Sequence, residues 1–447
     1  MRTYSCYKVQ IHGFNKVFQD TAKVYREAVD WYISLSLKEW DALILMNGSK
    51  QQLTYLETIS IPTKKHPSVS NNFSKAFYKF PSYLRRAAIN EAIGKVSSYM
   101  SNLAAWNSLS PVERKGMPSL PKAGYVYPAM YRGNCYVRID DYTARIKVFI
   151  RNTWDWVTVT FRKSDVDYIT RHCTGRKECV PTLRRRKKTW YLDFSFEENV
   201  ESLPKTEVFH TTVLAVDLGI HSACTCCAML SDGTVIGRRF MRLPQENDCL
   251  NRRTNRIRRA QCHGARGCSR LWDLARNAAD DIAAKTAAFI IETAVLYNAD
   301  VIVFEHLGVG GKKRGSRKMR LHLWKARCVQ EMVKGKAHRS GIRISRVNAW
   351  NTSRLAYDGS GPVKRGRESE KTGGSYSVCE FTSGKIYNCD LNASYNIGAR
   401  YYIREIIKSL PVKEGQRMQA KVPACVKRST CTLSTLISLN AELYAAV

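Results

Sequence analysis

The sequence of 447 residues is long enough for two or three domains, each with its own hydrophobic core. Hydrophobic residues make up 44% of it and aromatic residues 10%, which excludes a mainly disordered chain. Lys and Arg number 72 against 38 Asp and Glu, a net charge of +34 that far exceeds what solubility requires. The favoured partner is therefore a polyanion, and nucleic acid is preferred over a membrane surface.

Two further features concern the compartment. No apolar run is long enough to cross a bilayer, and the first predicted strand, residues 4–11, does not resemble a signal peptide. Fifteen cysteines, an odd number without the framework of a small secreted protein, are expected to be reduced thiols. We therefore expect a soluble protein of the cytoplasm.

The N-terminal part predicts a strand followed by helices. From residue 20 to 43, apolar residues recur at intervals of four, three and four, which predicts one face of an amphipathic helix. A second helix is expected to begin near Pro81, and Pro and Gly residues between 108 and 122 predict a linker after it. Helical spacing leaves two roles open, a packing unit or a lobe that grips a duplex.

Residues 125–197 change to a period of two. Apolar and polar residues alternate at 146–150 and 157–161, which predicts half-buried strands in a small antiparallel barrel or sandwich that the N-terminal strand can join. A basic run follows at 184–188. It is interpreted as a solvated loop, a nuclear signal or a phosphate contact, and for the last we single out Arg184, Arg185 and Arg186.

From residue 207 the pattern becomes mixed α/β, with two apolar strands that each end in an acid. Residues 213–216 form one apolar run, and Asp217 follows it directly. Residues 299–304 form the second predicted strand, which is apolar from residue 301 onward, and Glu305 ends it. A carboxylate at the end of a buried strand needs a metal, a cation or a hydrogen-bond network as its partner.

Seven arginines without an intervening acid lie between the two strands. At this density arginines repel each other unless phosphates neutralise them, and a solvated face normally mixes both signs of charge. The segment therefore predicts nucleic-acid contact by Arg252, Arg253, Arg256, Arg258, Arg259, Arg266 and Arg270.

An Ala-rich helix is predicted at 273–298, followed after Glu305 by a glycine-rich, basic segment at 308–318. In this segment Lys312, Lys313 and Arg314 are further candidates for nucleic-acid contact. The helix is expected to pack beside the sheet through Leu274, Ala278, Ile282, Phe289 and Leu296.

A third acid, Asp390, stands where another helix is expected to begin, so it can serve as the N-cap of that helix. It also completes a set with Asp217 and Glu305, each at the boundary of an element. Three carboxylates on one sheet edge repel each other strongly unless they share cations, and oxygen ligands suit Mg²⁺ or Mn²⁺.

Three segments, 215–220, 301–305 and 390–397, resemble the three split motifs of the RuvC nuclease domain in TnpB proteins and compact type V CRISPR effectors. The form Asp-Leu-Asn-Ala-Ser-Tyr-Asn-Ile of the third is the most specific. The resemblance implies an α/β RNase H-like (RuvC) nuclease domain plus a small antiparallel β-barrel domain with an inserted α-helical recognition domain.

The order of the segments implies domain boundaries as well. Residues 1–12 and 122–206 would form the wedge-like β-barrel domain, and residues 13–121 the helical recognition domain. The RuvC-like domain would span 207–447, with an Arg-rich helical insert at 244–298 and a degenerate zinc-ribbon-like insert at 349–388.

The second insert departs from the family. Members commonly carry a four-cysteine zinc ribbon there, whereas residues 352–359 hold no cysteine and only Cys379 and Cys389 follow. Two thiols do not supply a tetrahedral site, so no zinc is expected. Loss of the ribbon is more typical of type V effectors than of TnpB.

The resemblance implies an RNA-guided, metal-dependent DNA endonuclease of a prokaryotic cell. Asp217, Glu305 and Asp390 would hold two Mg²⁺ ions, which Mn²⁺ can replace, and would hydrolyse phosphodiesters. A guide RNA would pair with the target DNA, while the protein reads a short flanking motif on the duplex. Whether one copy or two bind each guide RNA is left open.

Three alternatives remain. The chain could be a transposon-associated TnpB nuclease rather than a CRISPR effector, or an RNA-guided DNA-binding repressor that no longer cuts. An actin-like ATPase or sugar kinase could also supply an acid such as Asp217, but it would not explain the charge, the arginine segment or the third motif.

Overall fold

The structure is a computed structural model that describes residues 2–64, 67–114, 116–200, 207–219, 222–307 and 323–445. The chain divides into two compact units, Arg2–Glu198 and Asn199–Val447. Mixed α/β content, expected from the sequence, is present, and the RNase H-like and barrel assignments and the domain roles stay predictions.

The helices of the first unit pack through an apolar core in which α1 and α5 are neighbours. Helix α5 begins directly after Pro81, as predicted. Helix α1 starts before residue 20. It ends before residue 43, where a separate short helix follows it. The helices are α1 (Asn15–Lys38), α2 (Trp40–Ile44), α3 (Ser49–Ser60), α4 (Phe73–Ala76), α5 (Ser82–Asn107) and α6 (Lys163–Cys173).

The sheet of this unit has seven strands in the order β2-β3-β4-β1-β7-β5, with β6 paired to β7. The N-terminal strand lies between β4 and β7, so it does join the sheet. Arg151 and Asn152 form the turn between β3 and β4 with positive φ values of 47° and 59°, which suit a two-residue hairpin. The strands are β1 (Arg2–His12), β2 (Tyr136–Arg138), β3 (Thr143–Ile150), β4 (Thr153–Phe161), β5 (Lys177–Glu178), β6 (Thr182–Arg186) and β7 (Thr189–Asn199).

The second unit is built on a five-stranded sheet of order β10-β9-β8-β11-β12. Strands β8, β9 and β10 form an antiparallel meander, whereas β11 runs parallel to both β8 and β12. Both predicted acid-ending strands are present and central. The strands are β8 (Val213–Asp217), β9 (Cys224–Met229), β10 (Val235–Met241), β11 (Val301–Glu305) and β12 (Arg343–Val347).

Helices cover both faces of this sheet. A small antiparallel sheet, β13 (Lys364–Arg365), β14 (Val378–Glu380) and β15 (Ile386–Asn388), precedes α10. None of the described helices is long and apolar enough to span a membrane. The helices are α7 (Pro244–Cys262), α8 (Ser269–Leu296), α9 (Ala326–Arg339), α10 (Cys389–Ser409), α11 (Val412–Lys421) and α12 (Leu433–Tyr444).

Alternation along the strands separates two apolar layers. Val213 and Ala215 pack in the layer that contains α10, whereas Leu214 and Val216 pack in the layer that contains α8 and α9. Strand β8 is therefore buried on both faces, as its continuous apolar sequence predicts.

The predicted apolar face of α8 is wrong. Leu274 and Leu296 are 39% and 60% exposed. Small side chains form the buried face instead, and they let the helix approach the sheet and its neighbours closely. That face consists of Ala275, Ala279, Ala283, Thr286, Ala287, Ile290, Thr293 and Ala294.

Candidate active site and nucleic-acid contacts

Asp217 and Glu305 lie at the carboxyl ends of adjacent parallel strands. The register pairs Val216 with Phe304, so the next residues of the two strands are side by side, at an interstrand spacing of about 4.8 Å. Residues in register project to the same face, and by alternation both acids lie on the face of Ala215, which is the face covered by α10. The strand pairing alone brings two of the predicted acids together.

Asp390 lies in the first turn of α10, on the helix that crosses this face. It is not the N-cap, so that interpretation is wrong. Asn388 holds the N-cap position, and its side-chain oxygen accepts a hydrogen bond from the Leu391 backbone N–H at 2.9 Å. A carboxylate in the first helical turn is favoured by the helix dipole.

Gly398 lets α10 lie close to the sheet. A Cβ at this position would stand 3.3 Å from the Ala215 Cβ and 3.1 Å from the Met229 Sδ. Both distances are tighter than ordinary packing contacts. Because Gly398 has no side chain, α10 can pack at a short distance from β8 and β9. The same packing distance brings the start of α10 close to the sheet.

The three acids influence one another electrostatically. Burial raises the pKa of Asp217 well above its usual value, and the negative charges of Glu305 and Asp390 raise it further. Burial also raises the pKa of Glu305, although the Thr352 hydroxyl and the positive charge of Arg400 oppose this rise. The arrangement thus concentrates negative charge that a cation would relieve.

Oxygen-only donors of this kind suit a hard divalent cation. Among the residues with described positions, however, no three His, Cys, Asp or Glu side chains are grouped so that they could hold one metal ion. The three acids share a sheet edge and an electrostatic field without forming a closed coordination shell.

Thr352 is a site residue that the sequence did not reveal. Its hydroxyl donates a hydrogen bond to the Glu305 carboxylate, and its side chain is buried. Gln330 on α9 donates from its side-chain amide to the Glu305 backbone oxygen at 3.0 Å. Both contacts restrain the strand end that carries Glu305.

Two buried asparagines in the third motif explain how Thr352 is held. The Asn396 side-chain N–H groups donate to the backbone oxygens of Thr352 and Leu355, each at 2.9 Å. The Asn392 side chain donates to Leu355 O and accepts from the Tyr357 backbone N–H, each at 2.8 Å. One turn of α10 therefore fixes the segment that contacts Glu305. In the sequence, the i,i+4 spacing of Asn392 and Asn396 indicated that both side chains lie on the same face of the helix.

Arg400, one turn further along α10, is buried at 4% exposure. Its guanidinium donates to the backbone oxygens of Asn348 and Trp350, each at 2.7 Å, and to Ser429 and Cys431 at 3.0 and 3.1 Å. Burial lowers the pKa of Arg400, while the charge of Glu305 counteracts the decrease. The residue fixes backbone on both sides of α10 and adds positive charge near Glu305.

The insert before α10 holds the two remaining cysteines. Cys379 on β14 and Cys389 at the start of α10 are both buried free thiols, and Cys379 Sγ lies 3.5 Å from the Tyr387 backbone oxygen. They pack with Val363 and Phe381 in a small core. Hydrophobic packing thus supports this insert, and the expected lack of zinc stays a prediction.

The arginine-rich segment spans α7, the following turn and the start of α8. Arg253 is partly buried and donates to the Leu274 backbone oxygen. The other six are exposed, and within the described part of the chain none of the seven pairs with a carboxylate. The exposed arginines are Arg252, Arg256, Arg258, Arg259, Arg266 and Arg270.

The basic run at 184–188 is a solvated turn only at Lys187 and Lys188. Arg184, Arg185 and Arg186 belong to strand β6. Arg184 and Arg186 both pair with Asp193, at 3.4 and 2.8 Å, and this acid is only 3% exposed. Cross-strand pairing with β7 thus gives two of the three arginines a structural partner. The other candidates, Lys312, Lys313 and Arg314, lie outside the described residues.

Comparison with known proteins gives matches of two kinds. The model of the Aq_aa04 family matches residues 5–150. The uncharacterized protein aq_aa04 of Aquifex aeolicus (strain VF5) is 29% identical over 133 residues, which are 27% of this chain and 74% of that protein. The family match lies in the first unit, and neither match carries a statement of function.

Solved structures match most of the chain. Cas12f1 in a complex with sgRNA and target DNA has a TM-score of 0.53 at 14% identity, covering 86% of this chain and 81% of Cas12f1. The mini-RNA-guided endonuclease CRISPR-Cas_phi3 has a TM-score of 0.45 at 13% identity, covering 88% and 92%. The match to Cas12f1, with a TM-score above 0.5, shows that this chain shares the fold of Cas12f1.

Proposed function

We propose that this protein is an RNA-guided, metal-dependent DNA endonuclease of the compact type V CRISPR effector class. The observation that carries the proposal is the placement of Asp217, Glu305 and Asp390 on one face of the five-stranded sheet. The order β10-β9-β8-β11-β12, an antiparallel meander extended by two parallel strands, supports an RNase H-like (RuvC) assignment.

We assign Mg²⁺ to the three carboxylates, whose side chains would have to close around the ion because they are not grouped around one point among the described residues. Their donor chemistry fits a hard cation, and burial together with the negative charges of Glu305 and Asp390 raises the pKa of Asp217. When bound, the metal would activate water and stabilise charge on the leaving oxygen of a phosphodiester. Thr352 and Gln330 restrain Glu305, while Asn392 and Asn396 hold the segment that carries Thr352.

Nucleic acid is the substrate that the charge supports. The net charge of +34 and the exposed arginines of α7 and α8 fit contacts to phosphate backbones, which need many cations and few specific bases. Cas12f1, which shares the fold, was solved with sgRNA and target DNA. We assign the same two partners to this chain, with a short flanking motif on the target duplex.

The domain roles follow the same proposal. Residues 1–12 and 122–206 would form the wedge-like barrel domain, residues 13–121 the helical recognition domain and residues 207–447 the nuclease. A guided nuclease of this kind works where its RNA and DNA meet, the cytoplasm of a prokaryotic cell.

The test begins with the RNA. The chain is expressed together with the DNA that flanks its gene, purified, and the bound RNA is sequenced. We expect one defined RNA, and cleavage of a plasmid that carries its complement beside a permissive flanking motif, with Mg²⁺ but not with EDTA. Protein without RNA would contradict guidance, and guided binding without cleavage in Mg²⁺ or Mn²⁺ would favour the repressor alternative.

The origin of the RNA decides the remaining choice. An RNA with repeat-derived spacers would support a CRISPR effector. A transcript from a transposon end would support a TnpB nuclease instead.

A further inference from the structure

A cavity of about 270 Å³ lies beside the acids, at the outer edge of the five-stranded sheet. Its walls are the end of β12, one face of α10, Gln419 on α11 and the segment that follows α11. The volume equals that of roughly nine water molecules, which is enough for part of a nucleotide. The residues that line it include Arg346, Arg400, Ile403, Arg404, Lys408 and Arg428.

Positive charge exceeds negative charge around this cavity. Five lining residues are Lys or Arg, and none is an acid. Two neighbouring acids compensate part of the charge: Glu331 pairs with Arg346 at 3.0 Å, and Glu405 pairs with Arg404 at 2.6 Å and with Lys408 at 3.7 Å. The remaining excess favours an anionic ligand.

Two of the five cations have a structural explanation. Strand β12 is an edge strand, and its outward carbonyls need donors. Arg404 donates to Arg346 O at 2.9 Å, and Arg400 donates to Asn348 O at 2.7 Å. These guanidiniums are committed to the fold.

Lys408 and Arg428 do not have such an explanation. The Lys408 side chain is 62% exposed and reaches Glu405 only at 3.7 Å. Arg428 is exposed, and no ion pair joins it to a carboxylate in the described ranges. Both can therefore contact a phosphate that enters the cavity.

The cavity is also lined by apolar side chains. These are Val347, Ile403 and Ile407, together with Val426, which is 59% exposed. Cations and apolar side chains around one cavity match a ligand with a phosphate and a flat ring. This is the composition of a nucleotide in single-stranded nucleic acid, whose bases are free to leave a helix.

Position connects the cavity with the acids. Val347 is the strand partner of Glu305, and its backbone oxygen accepts from the His306 N–H at 2.7 Å. We propose that the cavity binds a nucleotide of the single DNA strand adjacent to the phosphodiester that is cleaved. Lys408 and Arg428 contact its phosphate, and Ile407 and Val426 contact its sugar or base. This inference rests on the proposed function and adds a substrate subsite to it.

The first experiment measures binding without cleavage. In the full-length Asp217→Ala protein, without metal, the pair Lys408→Glu and Arg428→Glu is compared with the pair Lys413→Glu and Arg417→Glu. The control pair is exposed on α11, does not line the cavity and changes the net charge equally. We expect the cavity pair to weaken binding of a fluorescent oligo-dT by at least about fivefold relative to the control, and to lower the salt slope by about one.

A second experiment avoids any change in charge. Val426→Trp fills the cavity from its exposed rim and is expected to reduce oligo-dT binding in the same protein. A 4-thiothymidine oligonucleotide should crosslink to the peptide that contains Val426 and Arg428, and inorganic phosphate should compete weakly because it lacks the ring.

Equal affinity of the two charge-reversal pairs, with no crosslink at this peptide, would overturn the proposal. The proposal would also be overturned if the cavity variants weakened the binding of single-stranded RNA but not of oligo-dT. Complete displacement of oligo-dT by inorganic phosphate would overturn it too. Because binding is measured without metal, failure of cleavage would refute the proposed nuclease and leave this result unchanged. Normal cleavage with unaffected binding would refute only the subsite.

Discussion

The two faces of the five-stranded sheet use burial differently. The face toward α8 and α9 carries Leu214, Val216, Ile302 and Phe304, which are apolar and almost fully buried. The face toward α10 has a comparable apolar layer, but at its edge it holds three acids and a network of buried asparagine, threonine and arginine side chains. The first face chiefly stabilises the fold, and the second positions charge at a cost in stability.

The largest expected effect tests the acid face. Asp217→Ala should lower DNA cleavage by at least about a thousandfold, because it removes one of three groups that act together. Binding of RNA and target DNA should persist. Cleavage is measured on guide-matched plasmid, with Asp248→Ala, an exposed acid on α7, as the control. Undiminished cleavage by Asp217→Ala would exclude this site.

The second effect tests the apolar face. Phe304 is fully buried one position before Glu305, and Phe304→Ala should lower the free energy of unfolding by about 3–5 kcal/mol through the cavity that it leaves. Below the lowered Tm the folded protein should still cleave DNA.

Phe240→Ala on β10, where the ring is 42% exposed, is the matched control and should change stability much less. A folded Phe304→Ala protein as inactive as Asp217→Ala would show that the two faces are not functionally distinct.

A third, smaller effect concerns the hydrogen bond to Glu305. Thr352→Val keeps the shape and removes the donor, so we expect a roughly tenfold loss of cleavage rate and a higher Mg²⁺ requirement. Thr372→Val is the control, since Thr372 is buried in the same insert and its hydroxyl bonds only to backbone oxygens. Equal losses in both variants would assign Thr352 a merely structural role.

The smallest expected effect is on stability and depends on pH. Because the folded-state pKa of Asp217 is raised, ionisation of this group destabilises the fold as pH rises above the value of an unfolded Asp, about 3.9. In EDTA, Asp217→Asn should therefore be more stable than the parent at neutral pH and equal to it below about pH 4. Adding Mg²⁺ should reduce the difference.

For Glu246→Gln we expect the opposite change of stability with pH. The hydrogen bond from Lys285 lowers the pKa of Glu246, so this carboxylate contributes stability that is lost as pH falls. Thermal unfolding over a pH series measures both variants. The same pH trend in the two would contradict the electrostatic difference between their environments.

The central strands and two of the acids could be predicted from sequence because apolar runs and their ends are local signals. Both strands are apolar runs that end in an acid. If they are parallel neighbours in one sheet, their ends meet at the same edge, and this brings Asp217 beside Glu305. The roles of Thr352 and Arg400 could not, since their partners lie 47 and 52 positions away along the chain. Similarly, only cross-strand register reveals that Arg184 and Arg186 pair with Asp193.

Two errors arose from local ambiguity. Asn388 and Asp390 are both good capping residues two positions apart, and sequence preference does not choose between them. In α8, leucines looked like the buried face, but close packing selected alanines. In both cases several residues were chemically suitable for the same role. Tertiary contacts, which the sequence does not show, decided which of them took it.

Capping of β12 by Arg400 and Arg404 has a consequence for assembly. An edge strand with free carbonyls is a template on which another chain can add a strand. Here guanidiniums from α10 already satisfy the carbonyls of Arg346 and Asn348. A strand from a second copy could pair along this end of β12 only by breaking those bonds, so extension of the sheet is disfavoured at this position.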